Sequence, residues 1–494
     1  MHSRDGRIAA LDAPPAGERI IDLRGRTVLP GLIDSHLHLV QGAETAAQLD
    51  LSTVRSRDAF EHAVAERHAA LPPDAWLLAG GWSESNWPDH VTPDSSWLRA
   101  AGDRPCVCLR SDLHVALVND AVLARCVTLD DPPGGEVRRD PRTGAPTGLM
   151  VESAAWTLVN PLLPRPDAAT RRELTRAAAA RLHRFGVTTV GSMEYGAVVR
   201  DVLEPLRESL DLRVVITLLD RDWPLDFEYG EAFRNDDRLA VLGYKSFLDG
   251  TLGSRTARLR SPYADAPDRS GQWVELAERG LLQDWIAAVA ARGFSPSMHA
   301  IGDAAARLAL DVAEALPPGA HVRFEHMQQL DLADVPRLRG RIASMQPLHK
   351  ADDGRMLASR VGPARLAGSF AFRRLLDAGA TLAFGSDWPV VSADPMLGIR
   401  AAVTGLTVDD EPCLVDQNLT VDEALTAYTA GAATGLACDD RGRLTPGRLA
   451  DFVVLDRDPF TTDWSRDVPR VIMTVVGGRI VFADEASWTE AELA

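Results

Sequence analysis

Positive charge is scarce in this chain: 53 Lys and Arg stand against 70 Asp and Glu, a formal net charge of -17. A phosphate-binding surface needs clustered Lys and Arg to displace counterions, so nucleic acid and anionic membrane are excluded as expected partners. Long apolar runs are missing too. None reaches the roughly eighteen residues a membrane-spanning helix requires, and the opening Met1-His2-Ser3-Arg4-Asp5-Gly6 lacks the apolar core of a signal peptide. A soluble cytoplasmic protein is the expectation. Cysteine is sparse: Cys106, Cys108, Cys126, Cys413 and Cys438 make an odd set without a C-x-x-C pair. That argues against a disulfide framework and against a thiolate zinc site, and leaves His and carboxylate as the available metal ligands. Internal repeats and low-complexity linkers are absent as well.

What is present is an ordinary globular balance, 46% hydrophobic and 25% charged, with 38 Gly and 31 Pro marking many loops. At 494 residues the chain exceeds one ordinary core, which predicts a barrel-sized α/β domain with smaller units attached.

The stretch Pro30-Gly31-Leu32-Ile33-Asp34-Ser35-His36-Leu37-His38 is a short apolar run ending in His-x-His. Residues two apart on a strand face the same way, so both imidazoles can reach one ion. Further β-rich runs recur, with helical segments between them, at 187–193, 213–219, 242–247, 295–299, 322–326, 342–346 and 382–387. The segment 168–185 places Leu174, Ala178, Leu182 and Phe185 on one stripe, with Gly186 at the helix-ending position. With the His36 strand this predicts a (β/α)₈ TIM-type barrel over residues 30–439.

The β-rich ends, 1–29 and 440–494, are expected to share a β-sandwich satellite domain, with Gly477-Gly478 turning a hairpin. Residues 40–167 are too long for a loop and read as an α/β insertion after barrel strand 1. Loops after barrel strands lie on the catalytic face, so this insertion is expected to lid or wall the active site.

Five of the eight strands end in a residue able to bind a metal or move protons: His36 and His38, Lys245, His299, His326 and Asp387. In one barrel register these converge on one axis.

These residues resemble the amidohydrolase superfamily, and in particular its YtcJ-like branch, amidohydrolase family 3, which includes N-substituted formamide deformylase. The matching segments are the stretch 30–38, Tyr244-Lys245-Ser246-Phe247-Leu248-Asp249-Gly250-Thr251, Met298-His299-Ala300-Ile301-Gly302-Asp303, Phe324-Glu325-His326-Met327-Gln328, Ser344-Met345-Gln346-Pro347 and Phe384-Gly385-Ser386-Asp387-Trp388-Pro389. Against the family pattern the chain starts late, so the amino-terminal part of the satellite is expected to be short.

The resemblance implies two divalent metal ions in the barrel mouth, zinc by preference, with His36 and His38 on one and His299 and His326 on the other. Lys245 would bridge them as a carbamate formed with carbon dioxide. An ammonium beside two dications is untenable, whereas a neutral amine can take up carbon dioxide and become an anionic ligand. One ion beside an unmodified Lys245 is the alternative. Zinc brings bound water to a pKa of about 7 and so supplies hydroxide, and Asp387 would orient that water and shuttle its proton. Arg255, His114, Trp82 and His349 are the expected substrate-binding residues, with a surface salt bridge as the alternative for Arg255 and aromatic packing inside the insertion as the alternative for Trp82.

The leading function is hydrolysis of an amide-type C–N bond in a small molecule, an N-acyl or N-formyl amine or a cyclic amide; a homodimer is compatible with it. Hydrolytic deamination of a ring amine is the second reading. Barrel deaminases keep a Glu three residues after the strand-five His and dispense with the lysine, whereas this chain has Gly302 and Lys245. A scaffold that has lost catalysis is the third, and the full set of ligands weighs against it.

Overall fold

The computed structural model describes residues 1–12, 20–219, 223–234, 236 and 238–488. Its centre is an eight-stranded parallel sheet. Barrel strands 1 to 8 are Leu32–Leu37, Val187–Glu194, Arg213–Leu218, Leu239–Phe247, Ser295–Ala300, Arg323–His326, Ile342–Met345 and Thr381–Phe384, each paired in parallel with the next. Most of their residues are buried on both faces, as a parallel sheet wrapped by helices requires. The expected TIM-type barrel is therefore present.

Strand 8 stops at Phe384, three residues before its sequence pattern does. The following residues turn inward to close the ring: Asp387 N–H donates to His36 O at 2.6 Å, and Ser386 N–H donates to Asp34 Oδ1 at 3.0 Å. Gly385 makes this approach feasible, because a Cβ there would sit 2.5 Å from His36 N.

The helix Ala168–Arg184 shows how local chemistry sets an element. Asp167 caps it by accepting from Thr170 N–H at 2.7 Å, Arg181, His183 and Arg184 occupy its last turn, and Gly186 leaves it at φ +81°. Ala178, Ala179 and Leu182 pack into the main core.

Both ends of the chain contribute to one antiparallel sheet, in the order Arg479–Ala483, Val471–Val476, Phe452–Leu455, Val28–Pro30. Its hairpin turns at Gly477 and Gly478, whose φ of +57° and +75° suit a two-residue turn between twisted strands. A separate hairpin, His2–Arg4 with Arg7–Ala10, lies against Leu449. Arg213 on barrel strand 3 forks onto Asp451 at 2.7 and 3.1 Å and ties sheet to barrel.

Between barrel strands 1 and 2 the chain builds a six-stranded mixed sheet, ordered Leu49–Asp50, Leu77–Trp82, Cys106–Arg110, Val115–Val118, Pro146–Glu152, Gly135–Arg139. Helix Arg57–Ala70, capped by Ser56, packs on it through Phe60 and Val64. This unit has its own apolar core, where Trp97 stacks on Trp87 at 5.2 Å and meets Phe60 edge-on at 5.6 Å. Among the described residues no helix is long and apolar enough to cross a membrane.

Candidate metal centre

Barrel strand 1 delivers His36 fully buried and His38 just beyond its end. Both Nε2 atoms lie 3.3 Å from Asp387 Oδ1. Lys245, near the end of strand 4, brings Nζ to 3.2 Å from His36 Nε2. His326 ends strand 6 with its ring 4.9 Å from His36 and 4.4 Å from His299, which comes from strand 5. Six side chains spread over the sequence thus meet in one place.

The donor atoms are prepared for cations. His38 Nδ1, His299 Nδ1, His326 Nε2 and His349 Nε2 are all buried without a hydrogen-bond partner. Buried polar atoms rarely stay unpaired, so four of them on rings gathered in one place fit metal ligation. Burial first, and then neighbouring imidazoles, holds His299 and His326 well below the ordinary histidine range, leaving each ring neutral with a free electron pair on one nitrogen. Burial opposes ionisation of Asp387, yet the charge of His36 and hydrogen bonds from His36 and His38 hold it well below the usual carboxylate range.

Ligand atoms of His36, His38 and Asp387 fall within 4.8 Å of one another, as do those of His326, His349 and Asp387. His299 turns Nε2 toward Gly250 O at 3.2 Å and keeps Nδ1 unpaired. Backbone strain marks the centre as well: His326 and Asp387 have φ of +73° and +59°, a conformation non-glycine residues adopt only when their surroundings impose it.

Around the donors stands a second set of partners. His36 Nδ1 lies 2.7 Å from Glu325 Oε2, and Glu325 in turn accepts from Ser297 Oγ and, at 2.8 Å, from Arg323 Nε. Arg323, fully buried, also donates to Ser35 O, Gly435 O and Ser344 Oγ. Gln346 Oε1 lies 2.9 Å from His326 Nδ1. Such contacts fix each ring's orientation and tautomer.

Glu325 and Arg323 lie outside the strand-end donor pattern, yet their spacing on the strand carries a signal of its own. Charged residues two apart on a strand share one face, and where both faces are buried they must find a counter-charge there, in each other or in a neighbouring strand. Glu194, the last residue of strand 2, is a further strand-end carboxyl beyond the expected set.

Above the donors lies a cavity of about 580 Å³. His38, Lys245, His299, His326 and Asp387 line its floor, and Trp156, Leu113 and Leu163 of the six-stranded unit contribute to its roof. His114 and His349 are among the residues that line it. His114 Nδ1 lies 2.6 Å from Glu152 Oε2 with its ring 5.5 Å from His299, and His349 Nε2 is 3.8 Å from Asp387 Oδ2. Two expected contacts are absent. Trp82 is buried in the insertion's core, where Nε1 donates to Cys108 O at 2.8 Å: alternation alone would put it on the face of Leu78, which lines the cavity, but a bulge at Gly81, φ +91°, turns it to the face of Leu77 and Ala79. Arg255 sits in a left-handed turn, φ +57°, that directs it onto Asp265 at 2.9 Å, and it too is outside the cavity lining.

Comparison with known proteins agrees with this geometry. The model of the amidohydrolase family matches residues 19–482. The chain belongs to that family. It is a hydrolase acting on carbon–nitrogen bonds other than peptide bonds. The amidohydrolase is 33% identical to Protein LONG AFTER FAR-RED 3 of Arabidopsis thaliana, over 94% of this chain and 84% of that one. It is 32% identical to YtcJ of Bacillus subtilis (strain 168), over 94% and 90%. Against N-substituted formamide deformylase of Arthrobacter pascens the identity is 25% over 90% and 86%. Among solved structures, a metal-dependent hydrolase from Pyrococcus horikoshii superposes with a TM-score of 0.71 at 28% identity, covering 91% of this chain and 90% of that one.

Proposed function

We propose that this amidohydrolase cleaves an amide-type C–N bond in a small molecule, an N-acyl or N-formyl amine or a cyclic amide. The observation carrying the reading is the cluster of buried imidazoles with unpaired nitrogens, His38, His299, His326 and His349, gathered with His36 beside Asp387 and Lys245. The donor set, imidazole with carboxylate, suits two divalent ions and zinc first. His36 and His38 would hold one, and His299 and His326 the other. Lys245, buried and beside His36, would serve as a bridging carbamate after taking up carbon dioxide. When bound, the ions supply acidified water and polarise a carbonyl oxygen.

The chain's own residues do the rest. Asp387, held ionised and aimed between His36 and His38, orients the attacking water, takes its proton and returns it to the leaving nitrogen. His114, braced by Glu152, faces the cavity as a donor to the substrate. Trp156, Leu113 and Leu163 offer an apolar surface against which a substrate's hydrocarbon part would pack. His349 beside His326 and Asp387 supports an alternative placement of the second ion. Five unpaired cysteines are consistent with a reducing, cytoplasmic setting, and the catalytic unit we propose is complete within one chain, whether monomer or homodimer.

The test is elemental analysis of the purified protein together with a panel of N-formyl, N-acetyl and cyclic amides in the presence of Zn²⁺, Mn²⁺ or Co²⁺. About two equivalents of metal and release of an amine plus an acid are expected. Ammonia released from a ring amine would favour deamination instead, and a metal-free, inert, stable protein would favour a scaffold.

A further inference from the structure

Glu194 is a buried carboxyl with one oxygen committed and the other not. It ends barrel strand 2, is 3% exposed and lines the cavity. Oε1 accepts from Val40 N–H at 3.0 Å and from Ser192 Oγ at 2.7 Å, while Ser192 Oγ accepts from Leu39 N–H at 3.0 Å. Leu39 and Val40 directly follow His38, so the carboxyl is mounted on the segment that carries the first metal clamp. Among the described residues no donor reaches Oε2.

The nearest cation does not answer this need. Arg171 is engaged by Glu44, Nε to Oε1, at 2.5 Å. Burial accordingly raises the Glu194 carboxyl to about 7. Two donors on Oε1 favour the ionised form, and an ionised oxygen left bare in a cavity is costly unless a ligand supplies a donor. Met193, Tyr195, Val198 and Leu174 also line the cavity and give the ligand's substituent an apolar wall.

We propose that the uncommitted oxygen of Glu194 binds the nitrogen-bearing half of the substrate, accepting from an N–H of the amide before cleavage and from the ammonium of the released amine after it. This rests on the amide-hydrolase reading. The acyl half of an amide offers only a carbonyl acceptor, whereas the nitrogen half offers the donor this oxygen lacks. Hydrolysis forms a bond from water oxygen to the carbonyl carbon, breaks the C–N bond, and leaves a carboxylate and a protonated amine. That ammonium meets the carboxylate of Glu194 as an ion pair. Glu194 thereby selects substrates whose nitrogen carries a hydrogen and an apolar substituent.

The test is calorimetric titration of the metal-loaded protein with hexylammonium chloride. Glu194→Gln should weaken binding by about tenfold or more with metal content unchanged, because it replaces a charge-assisted hydrogen bond by a neutral one. Asp353→Asn, at another carboxyl lining the same cavity, should leave binding within about twofold. Equal binding by wild type and Glu194→Gln overturns the proposal, and so does loss of binding in Asp353→Asn alone. Should Glu194→Gln fold poorly, Glu194→Asp decides: it keeps the charge but withdraws the oxygen, so weakened binding supports the proposal and unchanged binding overturns it. Amine binding that depends on Glu194 in a protein cleaving no amide would remove the hydrolase reading and leave this binding point standing. Amide turnover with amine binding indifferent to Glu194 would do the reverse.

Discussion

The backbone N–H of Asp387 donates to the carbonyl of His36 at 2.6 Å, so the proposed base and a proposed metal ligand share one backbone joint. Asp34 secures the same joint by accepting from Ser386 N–H at 3.0 Å and Ser386 Oγ at 2.5 Å. Closing the barrel and setting the distance from carboxylate to imidazole are therefore one event.

Asp387→Asn should abolish proton transfer while the histidines keep the metal. Activity is expected to fall by at least about a hundredfold, the usual weight of a general base, with metal retained by elemental analysis. A fully active variant would reject the assignment.

Glu325→Gln acts one step away. It keeps the shape beside His36 Nδ1 but leaves the fully buried Arg323 without its counter-charge. Metal affinity should drop about 10- to 100-fold, and stability by about 3 to 5 kcal/mol. Competition with a chelator measures the first and urea unfolding the second; an unchanged chelator midpoint would show that Glu325 does not position the ring.

Single alanine variants locate the second ion. His299→Ala should cost one metal equivalent, and His349→Ala should cost none if His349 serves substrate. If the equivalent is lost from His349→Ala instead, the ion lies on the Asp387 side of His326, where those three ligand atoms gather within 4.8 Å.

Asp394 gives a pH test remote from the centre. It caps the helix Pro395–Thr404 by accepting from Met396 N–H at 2.9 Å, and burial raises its carboxyl to about 6. The folded protein thus holds a proton that the unfolded chain has released. The stability this proton carries is full below the ordinary carboxylate value near 4 and is lost as pH rises through about 6. Asp394→Asn keeps the capping oxygen and cannot ionise. Relative to wild type it should gain on the order of 3 kcal/mol between pH 4 and pH 8 in urea unfolding. The same difference at both pH values would refute this.

The barrel was legible because short β-rich runs recur along the chain with helical segments and Gly or Pro between them, although Ser295–Ala300 holds no β-branched residue, and the donors because they recur at strand ends. The ring's closure was not: the run 382–387 reads as one strand, yet Gly385 to Asp387 leave it for contacts with Asp34 and His36, three hundred and fifty residues away in sequence. Trp82 was misread because a tryptophan beside paired glycines signals equally a cavity wall and a core, and only the register of Leu77–Trp82 decides between them. Arg255 was misread because its direction depends on a left-handed turn that its local sequence does not announce. Glu325 and Glu194 each have a partner two residues back on their own strand, Arg323 and Ser192, but the contacts that tie them to the site, to His36 and to Val40, come from another part of the chain.

The six-stranded unit over the cavity keeps Trp82, Trp87, Trp97 and Phe60 in a core separate from that of the barrel. Changes to the roof surface facing the donors can therefore be absorbed locally, without disturbing the strands that hold them. A lineage could trade one substrate for another by rewriting that ceiling alone, and the chemistry beneath would be inherited intact.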